Sequence, residues 1–252
     1  RQFLRIWGFG QRCLSLVLLL TIGALNLASP GHASPPAIAG WTLIGRGQGL
    51  LNETVHVLAP VGSRQMLIGT SSGLNYWDGT RLRMYSADNG LAEGHITALA
   101  PYRGDIWAGS WGGGLSRLSG EEWERYQAGD SPLPGNWISG LAAEGQDLWI
   151  GTYGRGLARL RGDEWMVYTR ANSPLPSDWI TCLLADAEGG VWIGTERAGL
   201  AHLSAEGRWE HFPLPTELLT EVTALLVRDR QLWVGTRRGV AILDPFLRTW
   251  HR

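Results

Sequence analysis

One element is written five times along this chain: an apolar run, a glycine-rich turn and a second apolar run. The clearest copy runs Leu148-Trp149-Ile150-Gly151-Thr152-Tyr153-Gly154-Arg155-Gly156-Leu157-Ala158-Arg159-Leu160 and predicts a strand, a tight reversal and a strand. The others begin Met66-Leu67-Ile68-Gly69, Ile106-Trp107-Ala108-Gly109, Val191-Trp192-Ile193-Gly194 and Leu232-Trp233-Val234-Gly235. The shared glycines are spaced by 40, 42, 43 and 41 residues. A period near 40 with four short strands per unit is a repeat in which no unit buries both its faces alone, so neighbours must stack. The predicted fold class is all-β, a β-propeller of about five four-stranded blades over residues 41–252.

Each unit divides into four strands. The first is apolar and starts at Val55, Ile96, Ile138, Ile180 and Val222. Its third residue is often small (Ala98, Gly140, Cys182, Ala224), which suits the crowded centre of a ring and makes Cys182 a core residue. The Trp-Ile-Gly-Thr element is the second strand, and the third starts near Leu74, Leu115, Leu157, Leu200 and Val240. An aromatic pair marks the fourth: Trp123 with Tyr126, Trp165 with Tyr168, Trp209 with Phe212. The longest loops join blades and carry Ser-Pro-Leu-Pro at Ser131 and Ser173, where proline cannot extend a ladder. Two extra candidates exist for a fourth strand, Trp41–Ile44 and Phe246–Trp250. We expect Trp41–Ile44 to complete the last blade.

Residues 1–33 differ from the rest. Arg1, Arg5 and Arg12 precede an apolar run from Cys13 to Ala28, followed by small residues ending at Ala33. This predicts an export signal cleaved after Ala33, with an uncleaved anchor as the alternative, and a linker over 34–40. Cleavage leaves Cys182 alone, so no disulfide framework is expected. With 22 basic residues against 23 acidic and no basic patch, nucleic acid is excluded as a partner.

The repeat resembles the two-component regulator propeller repeat, on Ile180-Thr181-Cys182-Leu183, Val191-Trp192-Ile193-Gly194-Thr195 and Gly199-Leu200, and on the Leu148–Leu160 unit. The first unit departs, with Met66-Leu67 for Leu-Trp. The resemblance implies an extracytoplasmic sensor-type propeller, periplasmic or secreted, that works with a membrane signalling protein.

Topology places candidate function on one rim. The start of each first strand and the end of each second strand share an edge of the ring. Those positions vary between blades while the strands repeat, and variation on a rigid scaffold points to binding. The candidate ligand-binding residues are His95, Trp137, Trp179 and Glu221 before first strands, and Trp111, Tyr153, Arg155, Glu196, Arg197 and Arg237 after second strands. Flat aromatic faces with guanidinium forks and carboxylates suit a small molecule, sugar or peptide. Trp137 and Trp179 can instead pack between blades beneath the proline loops.

No catalytic residue, metal or cofactor is assigned: the histidines lack ligand spacing, and Trp111-Gly112-Gly113-Gly114 has no helix behind it to make a phosphate loop. His56 and His95 lie at equivalent ends of adjacent blades. His202 takes the place of Arg117 and Arg159 and is expected at the surface. Two alternatives to a binding propeller stand: a polysaccharide or cyclic-peptide hydrolase or lyase acting through His95, Glu196 and Glu221, and a structural protein–protein interaction module.

Overall fold

A computed structural model describes residues 43–246 and 248–251. The predicted export signal, the predicted linker and residues 41–42 lie outside these residues. Among them are five antiparallel four-stranded sheets, each a simple meander in chain order. Blade one is β1 (Val55–Val61), β2 (Gln65–Thr70), β3 (Gly73–Trp77) and β4 (Leu82–Tyr85). Blade two is β5 (Ile96–Tyr102), β6 (Asp105–Ser110), β7 (Leu115–Ser119) and β8 (Glu122–Tyr126). Blade three is β9 (Ile138–Glu144), β10 (Asp147–Thr152), β11 (Gly156–Arg161) and β12 (Glu164–Tyr168). Blade four is β13 (Ile180–Ala185), β14 (Val191–Thr195), β15 (Leu200–Leu203) and β16 (Trp209–Phe212). Blade five is β17 (Val222–Arg228), β18 (Gln231–Thr236), β19 (Gly239–Asp244) and β20 (Thr249–His251).

The fourth strand of blade five is therefore β20, from the second of the two candidate segments, and not Trp41–Ile44. The described residues just before blade one dock on blade one itself. Asn75 Nδ2 donates to the Gly49 carbonyl and Asn75 Oδ1 accepts from the Leu51 amide, which holds residues 49–51 against β3. Those bonds satisfy a wholly buried amide side chain and so fix the segment to blade one.

The repeated glycine has a physical cause. A Cβ on Gly69 would stand 2.7 Å from Ile96 Cγ2, one on Gly151 2.8 Å from Ile180 Cγ2, and one on Gly194 2.9 Å from Val222 Cγ1. Gly109 meets Ile138 in the same way. The first residue of each following blade thus rests on the second strand of the blade before it, and only glycine leaves the room. Apolar clusters fill the four blade-to-blade contacts, one of them built from Ala98, Trp107, Leu115, Ile138, Leu148, Ile150 and Leu160. Cys182 is buried in the cluster between blades four and five, as expected of a core residue.

Five blades joined by four such cores make an arc. The inner strands β1, β5, β9, β13 and β17 pack each against the next, and no comparable packing joins β17 to β1 among the described residues. The end faces show it. Trp233 is 39 % exposed where Trp149 in blade three is 2 %, and Val240 is 58 % exposed where Leu157 is 0 %. A cavity of about 250 Å³ lies along the inner strands, walled by Val57, Leu58, Ala98, Leu99, Gly140 and Leu183.

Candidate functional site

The rim forms where each second strand ends. The Trp111 amide donates to the His95 carbonyl of its own blade, and Trp111 bridges to Trp137 of the next. Tyr153 does the same between Trp137 and Trp179, and Glu196 between Trp179 and Glu221. The residue after each bridge seals the seam: the Gly112 amide donates to the Asn136 carbonyl, Gly154 to Asp178 and Arg197 to Thr220. Trp111, Tyr153 and Glu196 are therefore each held by backbone pairing to two blades, which makes this part of the rim rigid without asking anything of the side chains.

On this frame the side chains from Trp111 to Arg197 form a linked row, and the Glu221–Arg237 pair joins it through the Glu196–Glu221 backbone bridge. The rings of Trp111 and Trp137 stack with centroids 5.0 Å apart, and Trp111 meets Tyr153 at 5.5 Å. Tyr153 and Trp179 meet edge to face with ring centroids 4.7 Å apart, and the Tyr153 hydroxyl donates to Glu196 Oε2 at 2.9 Å. Arg197 Nε lies 3.8 Å from the other Glu196 oxygen, and Arg237 Nε donates to Glu221 Oε2 at 2.6 Å. Trp137 and Trp179 are about half exposed, so they belong to this surface and are not buried beneath the proline loops. His95 stacks on His56 of blade one with ring centroids 4.4 Å apart, and His56 Nε2 is 2.7 Å from the Ser71 hydroxyl.

Nine of the ten candidate residues thus join one another by ring, ion-pair or backbone contacts. Arg155 stands beside them: its side chain lies over Gly135 of the interblade loop, where a Cβ would approach Arg155 Cγ to 2.7 Å. Arg197 is distinctive for its backbone. It has φ 61°, where the equivalent Gly112 and Gly154 have φ 112° and 94°. Holding a side chain in the left-handed region costs on the order of 1–2 kcal/mol, and such outliers gather at functional sites. The row is a shallow surface of aromatic faces, two partly buried carboxylates and exposed guanidinium groups. It can stack planar or ring-shaped ligands and exchange hydrogen bonds with hydroxyl, amide or anionic groups. Among the described residues no group of three or more His, Cys, Asp or Glu is placed to hold a metal.

A second recurring feature sits at the opposite end of the second strands and was not singled out from the sequence. Arg117 Nε donates to Asp105 at 2.7 Å and lies over Trp107 at 5.5 Å. Arg159 Nε donates to Asp147 at 2.7 Å and lies over Trp149 at 5.3 Å. In blade four His202 replaces the arginine, 2.5 Å from Asp186 and tilted against the Trp192 ring with centroids 4.3 Å apart. His202 is thus mostly buried in a pair and not a surface substitution. Burial by itself pushes the Asp147 carboxyl up, but hydrogen bonds from Arg161 and Arg159 outweigh it and hold it below the usual carboxylate range. Asp186 shows the same balance with His202 and the Gly190 amide. Burial, helped by Glu124, pushes Tyr126 up to about 12. The signal was present: an acid two residues before each strand-two tryptophan in blades two and three, and an arginine facing that tryptophan across the sheet.

Fold and rim together define a β-propeller whose repeated blades carry a variable edge. Residues 174–197 match the sequence profile of the family described as Two component regulator propeller. The chain carries that repeat. The fold resembles the extracellular domain of the hybrid two component system BT3049 from B. thetaiotaomicron, with TM-score 0.71 and 23% identity over 83% of this chain and 31% of that one. It also resembles the extracellular domain of BT4673 from the same organism, with TM-score 0.67 and 18% identity over 79% of this chain and 27% of that one. A catalytically inactive His-to-Ala variant of virginiamycin B lyase from Staphylococcus aureus, solved with quinupristin, matches with TM-score 0.66 and 14% identity over 80% of this chain and 71% of that one. This chain therefore spans about a third of the two-component domains whose shape it shares. No curated protein matches the chain.

Proposed function

We propose that this chain is an exported, sensor-type propeller that binds a small molecule, sugar or peptide on the rim running from Trp111 to Arg237 and passes that state to a membrane signalling protein. One observation carries the reading: positions that differ from blade to blade come together in a single row, while the repeated residues go to the core. Arg197, held at φ 61° where glycine serves in two other blades, adds a side chain at a cost the fold alone does not require. The repeat match and the shared shape with extracellular domains of two component systems support the sensor class and the exported location. Titration of the purified protein against oligosaccharide and peptide panels tests it. Binding that weakens at least tenfold in Trp137→Ala and Trp179→Ala, with unchanged melting, supports the rim; binding indifferent to both places the site elsewhere.

A second reading has its own observation. His56 and His95 stack beside Ser71 at one end of the row, and a histidine variant inactivates the lyase that shares the fold. An imidazole pair there can exchange protons with a bound substrate. Loss of turnover of a cyclic peptide or polysaccharide in His95→Ala would establish chemistry in place of binding alone.

A further inference from the structure

The seam between blades two and three opens, at the end away from the rim, into a cavity of about 330 Å³. That is the lower end of the usual range for small-molecule sites, roughly 300–1,000 Å³. Its apolar wall is a run of rings. Trp107 stacks on Tyr126 with centroids 5.5 Å apart, and Tyr126 meets Trp165 across the seam at 5.7 Å. Arg117 also lines the cavity but is already engaged, with Nε on Asp105 and Nη1 3.4 Å from Glu124.

Two further charges line the same cavity, and neither has an ion-pair partner among the described residues. Arg103, in the β5–β6 turn, holds its Cζ 5.8 Å from the Tyr102 ring centroid. Its Nη1 reaches across to blade three, 3.6 Å from where a Cβ on Gly162 would stand. Asp163 is the next residue after that glycine, in the β11–β12 turn. An unmatched cation from one blade and an unmatched anion from the next therefore share one ring-walled cavity.

These charges are not part of the repeat. The turn closed by Tyr102 and Asp105 begins with Arg103, and the same turn in blade three, closed by Glu144 and Asp147, begins with Gly145. Glu124 stands opposite Arg117, but Met166 stands opposite Arg159. Arg103 has φ 54° and Gly145 φ 57°, so a side chain is carried at a left-handed position where glycine serves elsewhere. The buried Nε1–H of Trp107, which has no acceptor, recurs in Trp149 and so belongs to the scaffold. Variation on a repeated frame marks a site here as it does on the rim.

We propose that this seam cavity is a second binding site, separate from the rim, for a zwitterionic α-amino acid with a large apolar or aromatic side chain. The ligand's carboxylate meets the Arg103 guanidinium, its ammonium meets Asp163, and its side chain lies against Tyr126 and Trp165. Two unmatched charges of opposite sign favour a ligand that carries both. A simple anion would be repelled by Asp163 and a simple amine by Arg103.

Calorimetric titration of the purified chain with phenylalanine, leucine, N-acetylphenylalanine and phenylalanine amide tests it. The two free amino acids should bind, and blocking either charged end should weaken binding at least tenfold. Arg103→Gly keeps the turn, so melting should stay level or rise while phenylalanine binding falls at least tenfold. Asp163→Asn should weaken phenylalanine binding as much and leave binding of N-acetylphenylalanine level or tighter. No binding of either free amino acid would overturn the proposal. So would N-acetylphenylalanine binding as tightly as phenylalanine, which makes the cavity a site for simple carboxylates. Binding lost in Trp137→Ala but kept in Arg103→Gly would also refute it, since that assigns the amino acid to the rim.

Discussion

The hydroxyl of Tyr153 donates a 2.9 Å hydrogen bond to Oε2 of Glu196, a residue one repeat further along the chain. The two stand at equivalent places in blades three and four, so the bond crosses a blade seam and ties an aromatic face to a carboxylate that is mostly buried. It orients Glu196 while Tyr153 keeps its edge-to-face contact with Trp179. Tyr153→Phe should keep the fold and the ring contact, lower melting by roughly 3–12 °C, and weaken rim binding. A neutral hydrogen-bond deletion costs about 0.5–1.5 kcal/mol and one to a charged acceptor about 1.5–3. Calorimetric titration of the variant beside its melting curve separates the two effects.

Trp137 and Trp149 should respond in opposite ways to truncation. Trp149 is buried in the core, and Trp149→Ala should cost about 3–5 kcal/mol by denaturant unfolding. Trp137→Ala removes a half-exposed ring and should change stability by less than about 1 kcal/mol while lowering ligand affinity.

Arg197→Gly should separate stability from binding. Glycine meets the left-handed backbone without a Cβ clash, so stability should stay level or rise by about 1 kcal/mol. Affinity for an anionic or hydroxyl-rich ligand should fall. Arg237→Ala, which removes an exposed partner of Glu221, should cost no more than about 1 kcal/mol of stability and likewise weaken binding.

Asp147 predicts the acid limb of the stability curve. Its folded pKa lies below the unfolded value, because hydrogen bonds from two arginines outweigh burial. Such a group adds stability above the unfolded pKa of about 4 and loses it as pH falls through the lower folded value. Denaturant midpoints between pH 7 and pH 2 should drop in the native chain and drop less steeply in Asp147→Asn. At neutral pH that variant should be about 1–3 kcal/mol less stable, since two guanidinium groups lose their charged acceptor.

His202 should accept the arginine of its sister blades. His202→Arg can keep both the Asp186 pair and the ring contact, as Arg117 and Arg159 do, and should unfold within about 0.5 kcal/mol of the native chain. His202→Leu strands Asp186 with only its backbone donors and should cost about 1–3 kcal/mol. Equal losses in the two variants would deny the shared role.

The sequence by itself determined the blade. The 40–43-residue spacing of Gly69 to Gly235, the alternating apolar strands and the turn residues are local signals, and each strand's pairing follows from a hairpin with its neighbour in the chain. The rim was legible for the same reason, since strand direction alone puts Trp111 beside His95 and Trp137. Only the tertiary structure decided what lies between blades. Tyr153 reaching Glu196, Arg159 settling on Trp149 and Asp147, and the fourth strand of blade five coming from Thr249–His251 all depend on distances that no period encodes. The same is true of the open ends. Gly235 carries the same sequence signature as Gly151, yet one lies beneath Ile180 and the other has, among the described residues, its nearest neighbours in its own blade, because burial depends on which blade arrives next in space.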